Sequence, residues 1–146
     1  MSDEASFLRR ILTTCRTIAV VGLSAQPNRP SYGVALYMQA QGYRIVPVHP
    51  LYTEVLGEKC YARLSDIPFA VDMVNVFRKS EDVLPVAHEA VKIGAKCVWQ
   101  QLGIENQEAH TFIQQAGMDS VMNRCLKIDH AMLLGVRAEV FCGPDS

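Results

Sequence analysis

The 146-residue sequence predicts an α/β domain in which a doubly wound, parallel five-stranded sheet carries helices on both faces. Three observations predict it. Apolar strand-like runs alternate with helix-like segments along the chain, which calls for parallel strands joined by crossover helices. The run Ile18-Ala-Val-Val21 is unbroken, as in strands buried on both faces. Gly42, Gly94 and Gly117 stand where the helices should stop.

The elements follow in order. Phe7, Leu8, Ile11 and Leu12 recur at helical spacing between about Asp3 and Arg16, with Ser2 or Asp3 as the cap. Ile18–Val21 is the first strand, and Gly22 ends it. A helix is expected from Ser31 to Gln41, using Val34, Leu36, Tyr37 and Met38 for packing. Tyr43–Val48 is the second strand, with Pro47 marking an edge irregularity. His49 to Leu64 reads as a long connection, with a short extra strand at Glu58–Tyr61 and a helical turn before Pro68. Val71–Phe77 is the third long strand, interrupted by two polar residues. Ser80 should cap a helix running to Ile93, with Pro85 tolerable in its early part. Cys97–Leu102 is the fourth strand, Asn106–Ala116 a helix, Ser120–Met122 the fifth strand and Asp129–Leu134 a last helix. The expected order of the long strands is 3-2-1-4-5. Residues 1–146 read as one domain, with a helical N-terminal extension over 1–16 and a loose tail over 138–146.

Composition narrows the function. An apolar share of 49% with 20% charged residues is ordinary for a folded domain. A net charge of -1 gives no basic face for nucleic acid, so an anion site must be local. No apolar run approaches a membrane span, and the acidic Met1-Ser-Asp-Glu start lacks the order of a signal peptide. Five cysteines, with no CxxC pair, point to reduced thiols and a cytoplasmic location. The four histidines lack ligand spacing, so no metal site is expected.

In open α/β sheets the ligand crevice lies beyond the carboxyl ends of the strands. That rule gathers Gly22-Leu-Ser24, Val48-His-Pro50, Phe77-Arg-Lys79, Gln101-Leu-Gly103 and Asn123-Arg-Cys125. A helix starting near Ser31 would aim its amides and positive dipole end at the Gly22 turn, as at a phosphate site. The dinucleotide fingerprint GxGxxG is absent, since Ser24 stands two residues after Gly22. The acidic residue that would hold the ribose of NAD is replaced by His49 and Pro50. A ligand with a phosphate near its ribose would instead draw on Arg29, Arg78 or Lys79.

Together Val20-Val-Gly-Leu-Ser24, Val46-Pro-Val-His-Pro50, Val76-Phe-Arg78, Val98–Ile104 and Asn123-Arg-Cys125 resemble the small CoA-binding-domain proteins, relatives of the N-terminal domain of the succinyl-CoA synthetase α subunit. The resemblance runs from about Thr17 to Leu134. It implies a Rossmann-like fold with CoA across the strand ends. The backbone at Gly22, Leu23 and Ser24 would hold phosphates, with Arg29, Ser31 and Tyr32 completing the loop. His49 and Pro50 would line the nucleotide side, where many relatives carry Asn-Pro. Val76, Phe77 and Arg78 would form the opposite wall, and Gln101 and Leu102 join them by the strand-end rule. The phosphorylated histidine of the synthetases belongs to a later domain, so their catalysis does not carry over.

The expectation is therefore a protein that binds CoA or an acyl-CoA without catalytic residues of its own, as a sensor, carrier or accessory subunit, with a homo-oligomer or a partner enzyme subunit as its possible assembly. An NAD(P)-dependent oxidoreductase, a CoA ligase fragment and a thiol redox regulator pairing Cys125 with CoA are the alternatives. Simpler roles stand beside these: Gly22 as a mere tight turn, Arg29 and Lys79 as solvated cations, Trp99 and Met38 as core or a subunit contact, and Cys125 and His130 as unrelated to each other.

Overall fold

The computed structural model describes residues 3–135, and their elements follow the predicted alternation. Helix α1 (Asp3–Thr14) precedes strand β1 (Thr17–Val21), and α2 (Pro30–Ala40) leads into β2 (Arg44–Val48). A hairpin of β3 (Glu54–Val55) and β4 (Glu58–Lys59) and a short turn at Leu64–Asp66 come before β5 (Met73–Val76). A turn at Ser80–Asp82 runs into α3 (Val83–Lys92), then β6 (Cys97–Gln100), α4 (Gln107–Gln115), β7 (Asp119–Val121) and α5 (Leu126–Leu134). The tail expected over 138–146, Cys142 within it and Ser2 as a cap lie outside the described residues.

The main sheet has the order β2-β1-β5-β6-β7, with every neighbouring pair parallel. In terms of the long strands this is 2-1-3-4-5, which corrects the expected 3-2-1-4-5. The outer edge of β2 is already occupied. Tyr61 makes a parallel bridge to Val48, receiving at its carbonyl the N–H of His49 (2.9 Å) and donating its own to Pro47 (3.0 Å). The next long strand therefore pairs on the other side of β1. Pro47 is tolerated because its carbonyl, and hence its missing N–H, faces that outer side, where the ladder to β1 is not broken.

Alternation along the strands builds two apolar layers. Ile18 and Val20 join Leu12, Met38, Trp99 and Leu126 on the face covered by α1, α2 and α5. Ala19 and Val21 join Val74, Val83, Ala87, Val98 and Ile113 on the face covered by α3 and α4. Each buried Val, Ile or Leu contributes about 1.5–3 kcal/mol, so both faces of β1 drive folding. Trp99 and Met38 are core, whereas Leu36, expected to pack, is 46% exposed.

Local corrections have identifiable causes. Ser80 does not cap α3; its hydroxyl accepts the N–H of Glu105 (3.0 Å), joining two loops instead. Pro85 is the third residue of α3, where no intrahelical donor is needed. Helix α5 begins at Leu126 rather than Asp129, because the side chain of Gln101 accepts the Leu126 N–H (3.3 Å) from 25 residues away. Asn106 caps α4 as its residue type predicts, accepting from Ala109 N (2.9 Å).

The two polar interruptions of the third long strand are both structural. Asp72 accepts the N–H groups of Arg16 (2.8 Å) and Thr17 (3.0 Å) and pairs with Lys96 (3.5 Å) at the amino end of the sheet. Burial pushes its carboxyl up, but those hydrogen bonds and Lys96 prevail and hold it below the usual range. Asn75 donates to Trp99 O (3.2 Å) and to Gln101 Oε1 (3.3 Å) inside the core. Among the described residues no helix is long and apolar enough to cross a membrane.

Candidate functional site

The strand order reverses between β1 and β5, and a groove of about 280 Å³ opens beyond their carboxyl ends. Gly22, Ser24, Arg29, Pro30, Ser31, Phe77, Arg78, Lys79 and Ile104 line it. Gly22 has φ +90 and donates to Val48 O (2.8 Å). A Cβ there would overlap the carbonyl oxygen of Phe77. The glycine thus lets the ends of β1 and β5 meet closely, a structural role beside the ligand role the sequence suggested.

The loop between β1 and α2 is tied by two serines. Ser31 Oγ accepts the N–H of Ser24 (3.0 Å), and Ser24 Oγ accepts that of Gln26 (3.0 Å). Arg29 occupies the N-cap of α2 with no side-chain cap, and Pro30 follows at the first helical position. The amides of Tyr32 and Gly33 fold back onto Arg29 O. Those of Leu23 and Ser31 have no acceptor among the described residues, and Leu23 is fully buried. The free Ser31 amide, at the positive end of α2, favours an anion. Arg29, Arg78 and Lys79 stand beside the groove, and none has a carboxylate partner among the described residues. Despite the net negative charge of the chain, this corner is cationic.

At the end of β2, His49 stacks on Tyr52 with ring centroids 4.3 Å apart, and its Nδ1 accepts the N–H of Leu51 (3.1 Å). Burial first, and the charge of Arg78 second, hold its pKa below the ordinary 6.5. The ring is therefore neutral at pH 7. With Nδ1 engaged as an acceptor, the proton resides on Nε2, which is left as a donor.

Of the residues singled out from sequence, Gly22, Ser24, Arg29, Ser31, Phe77 and Arg78 come together on the groove. His49 couples to it through Arg78, with exposed Pro50 beside it. Tyr32 is half-buried in the first turn of α2, away from the lining. Leu23 and Val76 send their side chains into the two core layers, leaving only backbone for a ligand. Gln101 is buried and bonded to Asn75 and Leu126. Leu102 is 60% exposed and faces a separate recess. Lys79, named from sequence as a possible phosphate donor, also lines the groove, and Pro30 and Ile104 complete the lining without having been singled out as ligand residues. Their signals were present: Pro30 at a helix start and Ile104 at the end of the fourth strand motif.

Cys125 and His130 form no pair. His130 is buried between Tyr37 and Tyr43, its Nδ1 bonded to Tyr37 Oη (2.9 Å), and burial lowers its pKa. Cys125 is half-buried at the N-cap of α5. Cys15, Cys60 and Cys97 are buried, and burial raises each thiol, Cys15 to about 11. No cluster of metal-ligating side chains occurs among the described residues.

The fold agrees with what comparison finds. The profile of the CoA binding domain matches residues 16–131. The protein YneT of Bacillus subtilis (strain 168) is 41% identical over 125 residues, which are 86% of this chain and 93% of that one. A solved structure of a hypothetical protein from Pyrococcus horikoshii OT3 superimposes with a TM-score of 0.87 at 40% identity, covering 90% of this chain and 92% of the other. An ADP-forming acetate–CoA ligase II of Archaeoglobus fulgidus is 30% identical over 83 residues, 56% of this chain but 12% of the ligase.

Proposed function

We propose a function from a premise the profile match secures: the chain belongs to the CoA binding domain family. The groove between β1 and β5 takes CoA or an acyl-CoA. The diphosphate lies over the Gly22–Ser24 turn and the first turn of α2, where the Ser31 amide has no acceptor among the described residues. The ribose phosphate is met by Arg29, or by Arg78 with Lys79, and His49 offers Nε2–H on the nucleotide side. The observation that carries this reading is the meeting of three cations, none with a carboxylate partner among the described residues, with the unmatched Ser31 amide at the start of α2, where strand order reverses. The role is binding rather than chemistry, as a sensor, carrier or accessory subunit in which the ligand's own thiol or thioester is acted on elsewhere.

Titration calorimetry and thermal unfolding with CoA, dephospho-CoA and NADP test it. CoA is expected to raise the melting temperature, since a ligand of the native state stabilises it. NADP is expected to shift it less. Arg29→Ala and Arg78→Ala should each weaken CoA roughly tenfold, as loss of an exposed charge-assisted hydrogen bond would. Dephospho-CoA should lose less in at least one of the two. Absence of any shift at millimolar CoA, or equal losses for both ligands in both variants, would count against the phosphate assignment.

A further inference from the structure

A second recess, of about 240 Å³, lies beyond the ends of β6 and β7, lined by Leu102, Asn123, Arg124, Cys125, Ile128 and Asp129. We infer that it is the acyl subsite of the same ligand and that it accepts short, uncharged acyl groups. This rests on the proposed CoA-binding function of the groove.

Continuity joins the two places. Ile104 lines the groove and Leu102 lines the recess, two residues apart on one loop. Asn123 pins that loop, accepting the N–H of Gly103 (2.7 Å) and donating its own N–H to Ile104 O (3.1 Å). The strands run β1-β5-β6-β7, so the ends of β1 and β7 are three spacings, about 14 Å, apart. An extended pantetheine arm leaving the phosphates at Gly22 and passing Ile104 is long enough to end there.

The chemistry of the recess selects what it takes. Leu102 is 60% and Ile128 49% exposed, two large apolar side chains uncovered in the lining of one depression. An apolar group laid against them would bury apolar surface of its own and theirs. The cation at its wall is not available to a carboxylate. Arg124 is already held by Asp129 through two hydrogen bonds (2.6 and 3.2 Å) and by Glu4 (3.4 Å). An acyl group with a terminal carboxylate would meet Asp129 with no free counter-charge.

Calorimetry with CoA, acetyl-, butyryl- and succinyl-CoA on the intact chain tests this. Affinity is expected to rise from acetyl to butyryl by up to about fourfold for each added methylene. Succinyl-CoA should bind no more tightly than acetyl-CoA. In Ile128→Ser, at an exposed position where folding should survive, the ratio of butyryl-CoA to CoA affinity should fall toward one. A flat series on protein that still binds CoA, or a preference for succinyl over butyryl, would overturn the acyl subsite and leave the CoA groove standing. Failure of CoA itself to bind would overturn the groove and the subsite together.

Discussion

The carboxyl edge of the sheet has two halves that differ in how fully their polar groups are bonded. At the β6–β7 half the buried polar side chains have partners. Trp99 donates to Arg124 O (2.8 Å), Gln101 ties Asn75 to Leu126, Asn123 holds Gly103, and Arg124 is locked to Asp129. At the β1–β5 half, α2 starts without a side-chain cap, two amides lack acceptors, and three cations lack carboxylates among the described residues. Folding alone would favour satisfying the second half as well as the first. The contrast separates polar residues that build the scaffold from those left for an anion.

Gly22 is where the unsatisfied half depends most on the scaffold, so replacing it should have the largest effect. Gly22→Ala forces a Cβ onto the Phe77 carbonyl at a backbone angle that disfavours side chains. The expected loss is roughly 2–4 kcal/mol of stability, read by urea unfolding, with CoA binding lost in parallel. A variant of wild-type stability would mean that the strand ends can separate, and that the glycine serves the ligand after all.

The fold was largely legible because its signals are local. Ile18–Val21 declares a doubly buried strand, Asn106 a helix start, and Gly94 and Gly117 helix ends, each within a few residues. What was not legible depends on partners distant in sequence. Nothing near Tyr61 announces that it will close the edge of β2 and displace the next long strand to the other side of β1. Nothing near Gln101 says that it caps a helix starting at Leu126. The site was legible to the same extent. The turn after β1 and the Phe77-Arg78 strand end stand out in the sequence, and the strand-end rule brings them together. Ile104 reaches the groove along a loop path that its place in the motif does not by itself encode. Gln101 looked like a ligand residue because a polar side chain at a strand end fits both roles until its partners are known.

Gln101→Ala therefore sharpens the comparison. It leaves the buried Leu126 N–H without an acceptor and removes one of the two partners of the Asn75 amide. The expected cost is about 1–3 kcal/mol of stability. CoA affinity, measured by calorimetry on the folded fraction, should change less than in Arg78→Ala. A larger loss of affinity than of stability would move Gln101 from the scaffold to the site.

The smallest expected effect concerns His49, which follows β2 on the far side of β1. Its Nδ1 is used by the Leu51 N–H, while its ring feels the unmatched charge of Arg78. Because its folded pKa lies below 6.5, the unfolded chain takes up a proton before the folded one does as the pH drops. Its contribution to stability is therefore present above about pH 6.5 and is lost as the pH falls through that value toward the folded pKa. His110 and His130, also lowered by burial, act in the same direction, so the share of His49 is the difference between wild type and His49→Asn. Binding should respond with the opposite sign. A phosphate beside Arg78 would offset the charge that opposes protonation, so CoA should bind more tightly in wild type as the pH falls below 6.5, and the slope should flatten in His49→Asn. Calorimetry across pH 5.5–7.5 reads both, and an identical slope in the two proteins would place His49 outside the reach of the bound phosphates.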